Sequence, residues 1–383
     1  MTVEELLGLI PEEHLDFLSA ETKVDHQVKK LTGVVIFKLI LFSMLGSQKV
    51  SLRVMENILQ SARFKKFAGI DEVNAKYNSI RDRICTINAD FFKQLFETIF
   101  ELYNKELKEE KAISKADSTY VSIAASLVEW DMRNGDITSL RQVKYSVAMK
   151  GSLPCSVKVY TEKKFISEIV ALADLLEDNI LLKESIVVFD RGLTARKSFE
   201  NLTNNNIYFV GRCHLNCFCK VESNKRIPNK PKASSVTITN DKTGYLYEYG
   251  AKRTTHQYRI VSAVIDKTGE PICFITNLLN ENAYTIAALY KERWAIEVFF
   301  KFIKQHLNVY HLVSRQKNGI EVMIYMTMIA AILILAFKKL NKINGYKIAK
   351  LKFEIQLDNL LIKEIVTLCG GNPDKASYLW NTS

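Results

Sequence analysis

Hydrophobic residues recur at helical spacing through the first hundred positions of the chain. Segments 31–45 and 50–60 carry apolar residues every three or four positions, and a glycine–serine turn separates them. Residues 91–111 form a strongly amphipathic pattern whose charged end indicates a boundary near 108–112. We therefore predict an all-helical region over residues 1–110. The short connection also fits a pair of helices that binds DNA, although any small helical bundle with a basic end has this pattern.

The pattern changes after residue 110 to short β-branched runs bounded by turn residues, which predict strands. A helix-like stretch over 167–182 interrupts these runs, and this order indicates an α/β layer with a mixed sheet. From 206 to 276 the pattern is almost purely β, which predicts an all-β insertion in that layer. The predicted strands are 111–124, 145–153, 155–165, 185–193, 207–213, 234–240, 245–252, 257–266 and 270–278.

A helical pattern returns near residue 285 and continues to the end of the sequence. One continuous helix is predicted from Thr285 to Leu307. The most apolar stretch, 322–337, has sixteen uncharged residues, whereas a membrane-spanning helix needs about 20. We therefore expect a buried core helix there and no membrane partner.

Composition narrows the class of partner. Lys and Arg number 53 against 42 Asp and Glu, and the resulting net charge of +11 favours a polyanion. Hydrophobic residues make up 48% and charged residues 25%, which excludes a largely disordered chain. The seven scattered cysteines do not resemble a disulfide framework, and the first residues lack the features of a signal peptide. We expect a reduced, cytoplasmic protein.

Two aspartates stand near the ends of predicted strands. Asp117 follows a short strand start, and Asp190 ends an apolar run and precedes Arg191 and Gly192. A carboxylate held at the rim of a sheet presents oxygen ligands to a cation. Capping a turn is the commoner role of a single aspartate at a strand end, and neither residue alone distinguishes the two.

The predicted long helix carries four polar side chains on one side. At about 100° per residue, Tyr290, Arg293, Glu297 and Lys304 share an arc of roughly 60°. A polar stripe on a mostly buried helix must face a partner, an ion or a cleft. An internal ion pair between Arg293 and Glu297 explains the stripe equally well. The apolar residues on the other sides of this helix are Trp294, Ile296, Phe299, Phe302 and Ile303.

The spacing of these four residues resembles the Y-R-E-K signature of bacterial insertion-sequence transposases, in the branch called the insertion sequence 4 family. The order of the surrounding segments is also similar. A helical region comes first, Asp-Ser-Thr follows at the first strand, Asp-Arg-Gly follows the fourth, and a β block precedes the glutamate helix. The resemblance covers about residues 113 to 310.

The resemblance implies an RNase H-like catalytic core in which Asp117, Asp190 and Glu297 form a DDE triad. The triad would hold two Mg²⁺ ions, for which Mn²⁺ could substitute, and no other cofactor is required. The implied substrate is double-stranded DNA, both the terminal inverted repeats and the target, which is cleaved by hydrolysis and joined by strand transfer. A homodimer on DNA, a nucleoid-associated bacterial location and the absence of a small-molecule substrate are further expectations.

The predicted fold class is α/β, an RNase H-like catalytic core interrupted by an all-β insertion, with helical N-terminal and C-terminal regions. The helical end regions are expected to bind the DNA ends and to dimerise, respectively. The predicted regions are 1–110 (DNA-end binding), 111–205 (first part of the core), 206–276 (all-β insertion), 277–312 (glutamate helix) and 313–383 (dimerisation).

Two groups of residues are expected to contact DNA. Tyr290, Arg293 and Lys304 match the family's phosphate contacts near the cleaved bond. Arg191 fits either DNA or a surface ion pair. The basic loop 225–232 either clamps DNA or is simply solvated, and its candidates are Lys225, Arg226, Lys230 and Lys232.

The tryptophan positions depart from the family pattern. Studied relatives hold a flipped base with a tryptophan of the β insertion, but none lies within 206–276 here. The missing tryptophan argues against base flipping and the hairpin route of excision, unless a tyrosine of this block substitutes for it by stacking. The tryptophans are Trp130, Trp294 and Trp380, and the tyrosines are Tyr245, Tyr247, Tyr249 and Tyr258.

A cluster of soft ligands is the remaining candidate site. Cys213, His214, Cys217 and Cys219 fall within seven residues. A structural zinc site usually joins two separated pairs, and no second pair follows. We therefore favour a strand with buried thiols over a metal site.

Two other functions stay open. One is a catalytically inactive, sequence-specific DNA-binding protein of the same fold, and the other is an RNase H-like nuclease without strand transfer. The presence of all three carboxylates argues against the first, and the Y-R-E-K stripe argues against the second.

Overall fold

The computed structural model describes residues 1–46, 50–71, 73–108, 113–124, 140–177, 182–215, 219–247, 253–307, 309, 313–314, 316–373 and 375. The helices are α1 Val3–Leu7, α2 Glu12–Glu21, α3 Gly33–Gly46, α4 Leu52–Gln60, α5 Ala62–Ala68, α6 Tyr77–Thr86, α7 Ala89–Leu107, α8 Glu168–Glu177, α9 Arg196–Asn204, α10 Ala283–Lys291, α11 Trp294–His306, α12 Lys317–Leu340 and α13 Tyr346–Leu368. The strands are β1 Ser114–Ala124, β2 Leu140–Lys150, β3 Leu153–Tyr160, β4 Ile186–Phe189, β5 Tyr208–Arg212, β6 Cys219–Asn224, β7 Val236–Leu246, β8 Tyr258–Ile265 and β9 Pro271–Thr276.

The predicted N-terminal helices are present, with short polar residues at their starts. Ser51 and Ser61 accept hydrogen bonds from backbone N–H groups in the first turns of α4 and α5, and Asn88 does the same for α7. Gly69 ends α5 with a φ of 68°, a left-handed conformation that glycine adopts without strain. Local chemistry therefore defines these helix boundaries.

Helix α12 is the centre of a helical body made of α1–α7, α12 and α13. It contacts α3, α6, α7 and α13, and it also packs on β3. The helix is long and apolar enough to cross a membrane by composition, but 89% of its most apolar window is buried inside the fold. The predicted core helix is therefore confirmed.

The two ends of the sequence meet in this helical body. Asn318 Nδ2 on α12 donates to the Ile87 carbonyl at 2.6 Å, and the Val3 N–H donates to Gln356 Oε1 at 3.1 Å. Regions that the sequence separates by about two hundred residues thus share one hydrophobic core. The separate DNA-end-binding and dimerisation roles of these two regions stay predictions.

A mixed sheet forms the second layer. Its order is β3-β2-β1-β4-β5-β9-β8-β7-β6. Strands β1, β4 and β5 are parallel, and the other neighbouring pairs are antiparallel. The predicted mixed α/β layer is confirmed. The strands of residues 206–276 continue this sheet, because β9 pairs with β5.

The turn predicted between 234–240 and 245–252 is wrong. Strand β7 runs through this segment, with an irregularity between Ile238 and Asn240. The reason is the buried side chain of Asp241, whose two oxygens accept hydrogen bonds from Arg259 of β8 at 2.8 and 2.6 Å. This buried pair holds a turn-prone sequence in an extended strand.

Candidate functional site

The strand register brings the two predicted aspartates side by side. Strand β1 pairs with β4 at Ser114–Val187 and Lys115–Val188. Asp117 and Asp190 each follow the last pair, Lys115–Val188, by two residues, and the negative charge of Asp190 acts on Asp117. Asp117 is inside β1 and not at its end as predicted, because β1 pairs with β2 along its whole length but leaves β4 after Lys115. The rim of the parallel strands is therefore where both aspartates stand.

Backbone and side-chain donors orient these carboxylates. The Ser118 N–H donates to Asp117 Oδ1 at 2.7 Å, and the Arg191 N–H donates to Asp190 Oδ1 at 2.8 Å. The Tyr290 hydroxyl also donates to Asp190 Oδ1, at 3.0 Å. Burial and the negative charge of Asp190 raise the pKa of Tyr290 to about 12, so this tyrosine is a neutral donor.

The predicted continuous helix Thr285–Leu307 is two helices. Around the junction of α10 and α11 the backbone bonds span three residues, from the Arg293 N–H to the Tyr290 carbonyl and from the Ile296 N–H to the Arg293 carbonyl. This tighter winding turns Tyr290 relative to the residues of α11. Arg293 Nη2 donates to Glu297 Oε1 at 2.5 Å, so the internal ion pair of the sequence analysis does form.

Lys304 joins the glutamate helix to the strand that carries Asp117. Its Nζ donates to Thr119 Oγ1 of β1 at 2.6 Å. Burial lowers the pKa of Lys304, and the negative charge of Asp117 opposes this shift. Tyr290 and Lys304 of the Y-R-E-K stripe thus contact Asp190 and β1, the charge of Arg293 acts on Asp117, and Glu297 is bonded to Arg293. We call Asp117, Asp190 and Glu297 the carboxylate site.

Burial raises the pKa of Asp117 to about 6. The negative charges of Glu168 and Asp190 add to the shift, whereas the Ser118 N–H and Arg293 oppose it. A positive charge near this carboxyl would favour its ionised form, because the charge replaces the stabilisation by water that burial removed.

Glu168 is a carboxylate near the site that the sequence analysis missed. It is the first residue of α8, and a Cβ placed on Gly192 would come within 3.0 Å of its carboxyl group. Glu168 therefore lies beside the turn that follows Asp190. A glutamate at a helix start is common for local reasons, so the sequence contains no signal for this placement.

The helical wheel predicted a buried position for Trp294, and this prediction is wrong. The other apolar residues assigned to the helix, Ile296, Phe299, Phe302 and Ile303, are buried as expected, but Trp294 is 63% exposed. The break before α11 turns this residue out of the core. An exposed indole beside Arg293 is a surface on which a nucleobase can stack. Trp130 and Trp380 lie outside the described residues, as does Tyr249.

The donor set of the carboxylate site suits a hard divalent cation. One oxygen of each carboxylate accepts the hydrogen bonds given above, and the second oxygen accepts none from the described part of the chain. Carboxylate oxygens are the ligands that Mg²⁺ and Mn²⁺ prefer. Among the described residues, no three acidic, histidine or cysteine side chains are grouped closely enough to hold an ion as they stand. Convergence of the triad on one ion stays a prediction.

The basic loop 225–232 divides into anchored and exposed residues. Lys225 Nζ donates to the Leu279 carbonyl, and Lys230 pairs with Asp266 at 2.8 Å. Arg226 and Lys232 are exposed, as is Arg191 next to the carboxylate site. Lys225 and Lys230 therefore contact other parts of the protein, whereas Arg226 and Lys232 are exposed to solvent.

The soft-ligand cluster is not a strand. Strand β5 ends before Cys213, and His214 lies in the connection that follows. The Cys213 thiol is buried and lies 3.2 Å from the sulfur of Cys273. The buried thiol was predicted correctly for Cys213, while Cys217 and the side chain of Cys219 lie outside what the structure describes.

Acidic and basic side chains that alternate at the rim of a mixed sheet suit a protein that binds metal ions and phosphodiesters. A family described as "Transposase DDE domain" matches residues 116–333, more than half of the chain. The chain belongs to this family of DDE transposases. The predicted resemblance to insertion-sequence transposases is thereby confirmed at the level of the family, and membership implies use of a divalent metal ion.

Similar curated proteins have names of the same kind. The chain is 26% identical over 265 residues to "Probable transposase for insertion sequence element IS5377" of Geobacillus stearothermophilus, covering 67% of this chain and 66% of that protein. It is 30% identical over 156 residues to "Putative transposase y4zB" of Sinorhizobium fredii, covering 41% and 43%. It is 25% identical over 251 residues to "Putative transposase for insertion sequence element IS4SA" of Synechocystis, covering 62% and 65%. The matches span about two thirds or less of each relative.

Proposed function

We propose that this protein is a DNA transposase of the insertion sequence 4 type. It binds the inverted-repeat ends of its element, cleaves them by metal-dependent hydrolysis and joins them to target DNA. The observation that carries the proposal is the register of β1 and β4, which sets Asp117 beside Asp190 within the residues that match the family. The basic stripe on α10 and α11 supports DNA as the substrate.

We assign residues 111–205 and 277–312 to an RNase H-like core and residues 206–276 to a β insertion. The antiparallel strands β3, β2 and β1 followed by the parallel strand β4 support the core, and β5, the first strand of residues 206–276, extends it in parallel before the antiparallel strands β6–β9. A homodimer and a nucleoid-associated location in the bacterial cytoplasm belong to the same proposal.

Asp117, Asp190 and Glu297 would hold the divalent ions, Mg²⁺ in the first place and Mn²⁺ as a substitute. The ions supply Lewis-acid stabilisation of charge on the phosphate and on the leaving oxygen. The chain itself binds the phosphate with Arg293, Lys304 and the Tyr290 hydroxyl. These three donors are bonded to Glu297, Thr119 and Asp190 without DNA, so they are positioned in advance and exchange partners when a phosphate arrives.

The test is cleavage of DNA carrying the ends that flank this gene, with Mg²⁺, by the intact protein and by Asp190→Ala. We expect both to bind and only the intact protein to cleave, because the substitution removes a carboxylate without removing a DNA contact. Joined products with a target plasmid distinguish a transposase from a nuclease without strand transfer. Binding without cleavage by either protein would support the inactive DNA-binding alternative.

The basic loop yields a second prediction, in which substitution of one residue affects DNA binding and substitution of its neighbour affects stability. Arg226→Ala should leave the melting temperature unchanged, weaken DNA binding and reduce the slope of log Kd against log salt by about 1. Lys225→Ala should lower the melting temperature, because the Leu279 carbonyl loses one of its two donors and keeps only the longer bond from Arg259. Thermal melts and salt titrations of both variants provide the comparison. Equal melting temperatures and equal salt slopes would show that this loop is only solvated.

A further inference from the structure

Arg212 lies in the same row of the sheet as the two aspartates. Strand β5 pairs with β4 in parallel, with Gly211 opposite Phe189. The next residues in this register are Arg212 and Asp190. Three adjacent parallel strands therefore place Asp117, Asp190 and Arg212 side by side at one rim, in the order β1, β4, β5.

The guanidinium of Arg212 is on the side of the sheet that faces the carboxylate site. Its positive charge acts on Tyr290, where it lowers the pKa against the larger effect of burial. The Tyr290 hydroxyl is bonded to Asp190. Arg212 therefore shares the surroundings of Asp190 and Tyr290.

The half-buried Arg212 differs from Arg83 and Arg259 in the partners of its guanidinium, and Arg293, whose Nε is also unsatisfied, is bonded to Glu297 through Nη2. The Nε of Arg212 is buried without a hydrogen-bond partner among the described residues. Arg259 of the same sheet donates to both oxygens of Asp241 and to two backbone carbonyls, and Arg83 donates to Asp25, Leu31 and Val24. Buried polar groups are normally satisfied, so the unsatisfied Nε of Arg212 beside the carboxylate site favours an anion as its partner.

We propose that Arg212 binds a DNA phosphate next to the carboxylate site, on the β5 side of Asp190. The planar fork of a guanidinium matches two phosphate oxygens, which a lysine cannot reproduce. Tyr290, Arg293 and Lys304 come from the helices above the sheet, whereas Arg212 comes from the sheet itself. This proposal rests on the proposed function.

The experiment compares Arg212→Gln, which removes the charge, with Arg212→Lys, which keeps the charge and loses the fork. Binding to the flanking-end DNA is measured in EDTA, so the readout does not depend on metal-loaded activity. We expect Arg212→Gln to bind about tenfold more weakly and to lower the salt slope by about 1. Arg212→Lys should keep the slope but cleave more slowly. The control is Lys267→Gln in the exposed turn between β8 and β9, for which we expect unchanged cleavage.

The contacted phosphate is located by replacing single phosphates near the cleaved bond with uncharged methylphosphonates. The intact protein and Arg212→Gln should bind equally at one replaced position, because the lost interaction is the same. An Arg212→Gln variant with the affinity and salt slope of the intact protein would overturn the proposal. A lowered melting temperature with an unchanged salt slope would also overturn it, in favour of a structural role. Failure of the intact protein to bind the ends would instead overturn the proposed function.

Discussion

Replacing Asp117 with asparagine is expected to abolish DNA cleavage and, at the same time, to stabilise the protein in EDTA. The loss of activity should be at least about 10³-fold, because a neutral amide is a poor ligand for the divalent ion on which the chemistry depends. DNA binding should be kept, since the phosphate contacts come from other side chains. An Asp117→Asn variant that cleaves within tenfold of the intact protein would remove this residue from the triad.

The stabilisation follows from the pKa of Asp117. Burial raises this pKa from 3.8 to about 6, so the folded chain keeps a proton that the unfolded chain has already released. Between these two values the intact protein loses stability as the pH rises, because the folded state binds more protons than the unfolded state. Asparagine carries no charge, so the gain in melting temperature should be absent near pH 3.8 and complete above about pH 6.

Melting curves from pH 4 to pH 8 in EDTA measure this difference. Asp266→Asn is the matched control, because hydrogen bonds from Lys230 and Thr237 lower the pKa of Asp266. Its substitution should therefore destabilise the protein at neutral pH, the opposite sign. Adding Mg²⁺ should raise the melting temperature of the intact protein and not that of Asp117→Asn.

Replacing Asp241 with alanine is expected to cost about 3–5 kcal/mol of unfolding free energy. The side chains of Asp241 and Arg259 are 1% and 3% exposed, and the pair is bidentate. Removing the carboxylate leaves a buried guanidinium without its counter-charge. Arg259 also donates to the carbonyls of Leu279 and Glu281, just before α10, so the same clamp supports the helix that carries Tyr290.

Urea denaturation of Asp241→Ala measures this cost. The double variant Asp241→Ala with Arg259→Met should recover part of the lost stability, because no unpaired charge remains. Asp266→Ala, which breaks the exposed pair with Lys230, should destabilise the protein only slightly and far less than Asp241→Ala. A small cost for Asp241→Ala, similar to that of Asp266→Ala, would show that water reaches Arg259.

Several elements were predictable because their signals are local. An apolar run followed by Asp190 and a glycine identified β4 and the turn after it. Helical periodicity identified α3 and α7, and the uncharged apolar stretch 322–337 identified the buried α12. Helix α9 was not predicted, and its polar sequence on one side explains why the apolar pattern was weak.

Other features depended on residues far away in the chain. Strand β7 runs through a turn-like segment because Asp241 meets Arg259 of the next strand. The turn of Trp294 toward solvent depends on the break between α10 and α11, which a uniform wheel of 100° per residue does not contain. No local motif marks Glu168 or Arg212. Glu168 lies near the carboxylate site because α8 packs against Gly192, and Arg212 lies there because of the register of β5 on β4.

The sequence by itself determined the types of the main elements, the identity of the acidic and basic candidates, and the family, because these depend on spacing along one segment. The tertiary structure alone decided which strands are neighbours and which charges meet. It set Asp117 near Asp190, left the Nε of Arg212 without a hydrogen-bond partner among the described residues, and joined both ends of the chain around α12. The reason is that strand pairing and ion pairing follow from which buried groups must satisfy one another in the folded chain, and no short stretch of sequence contains both partners.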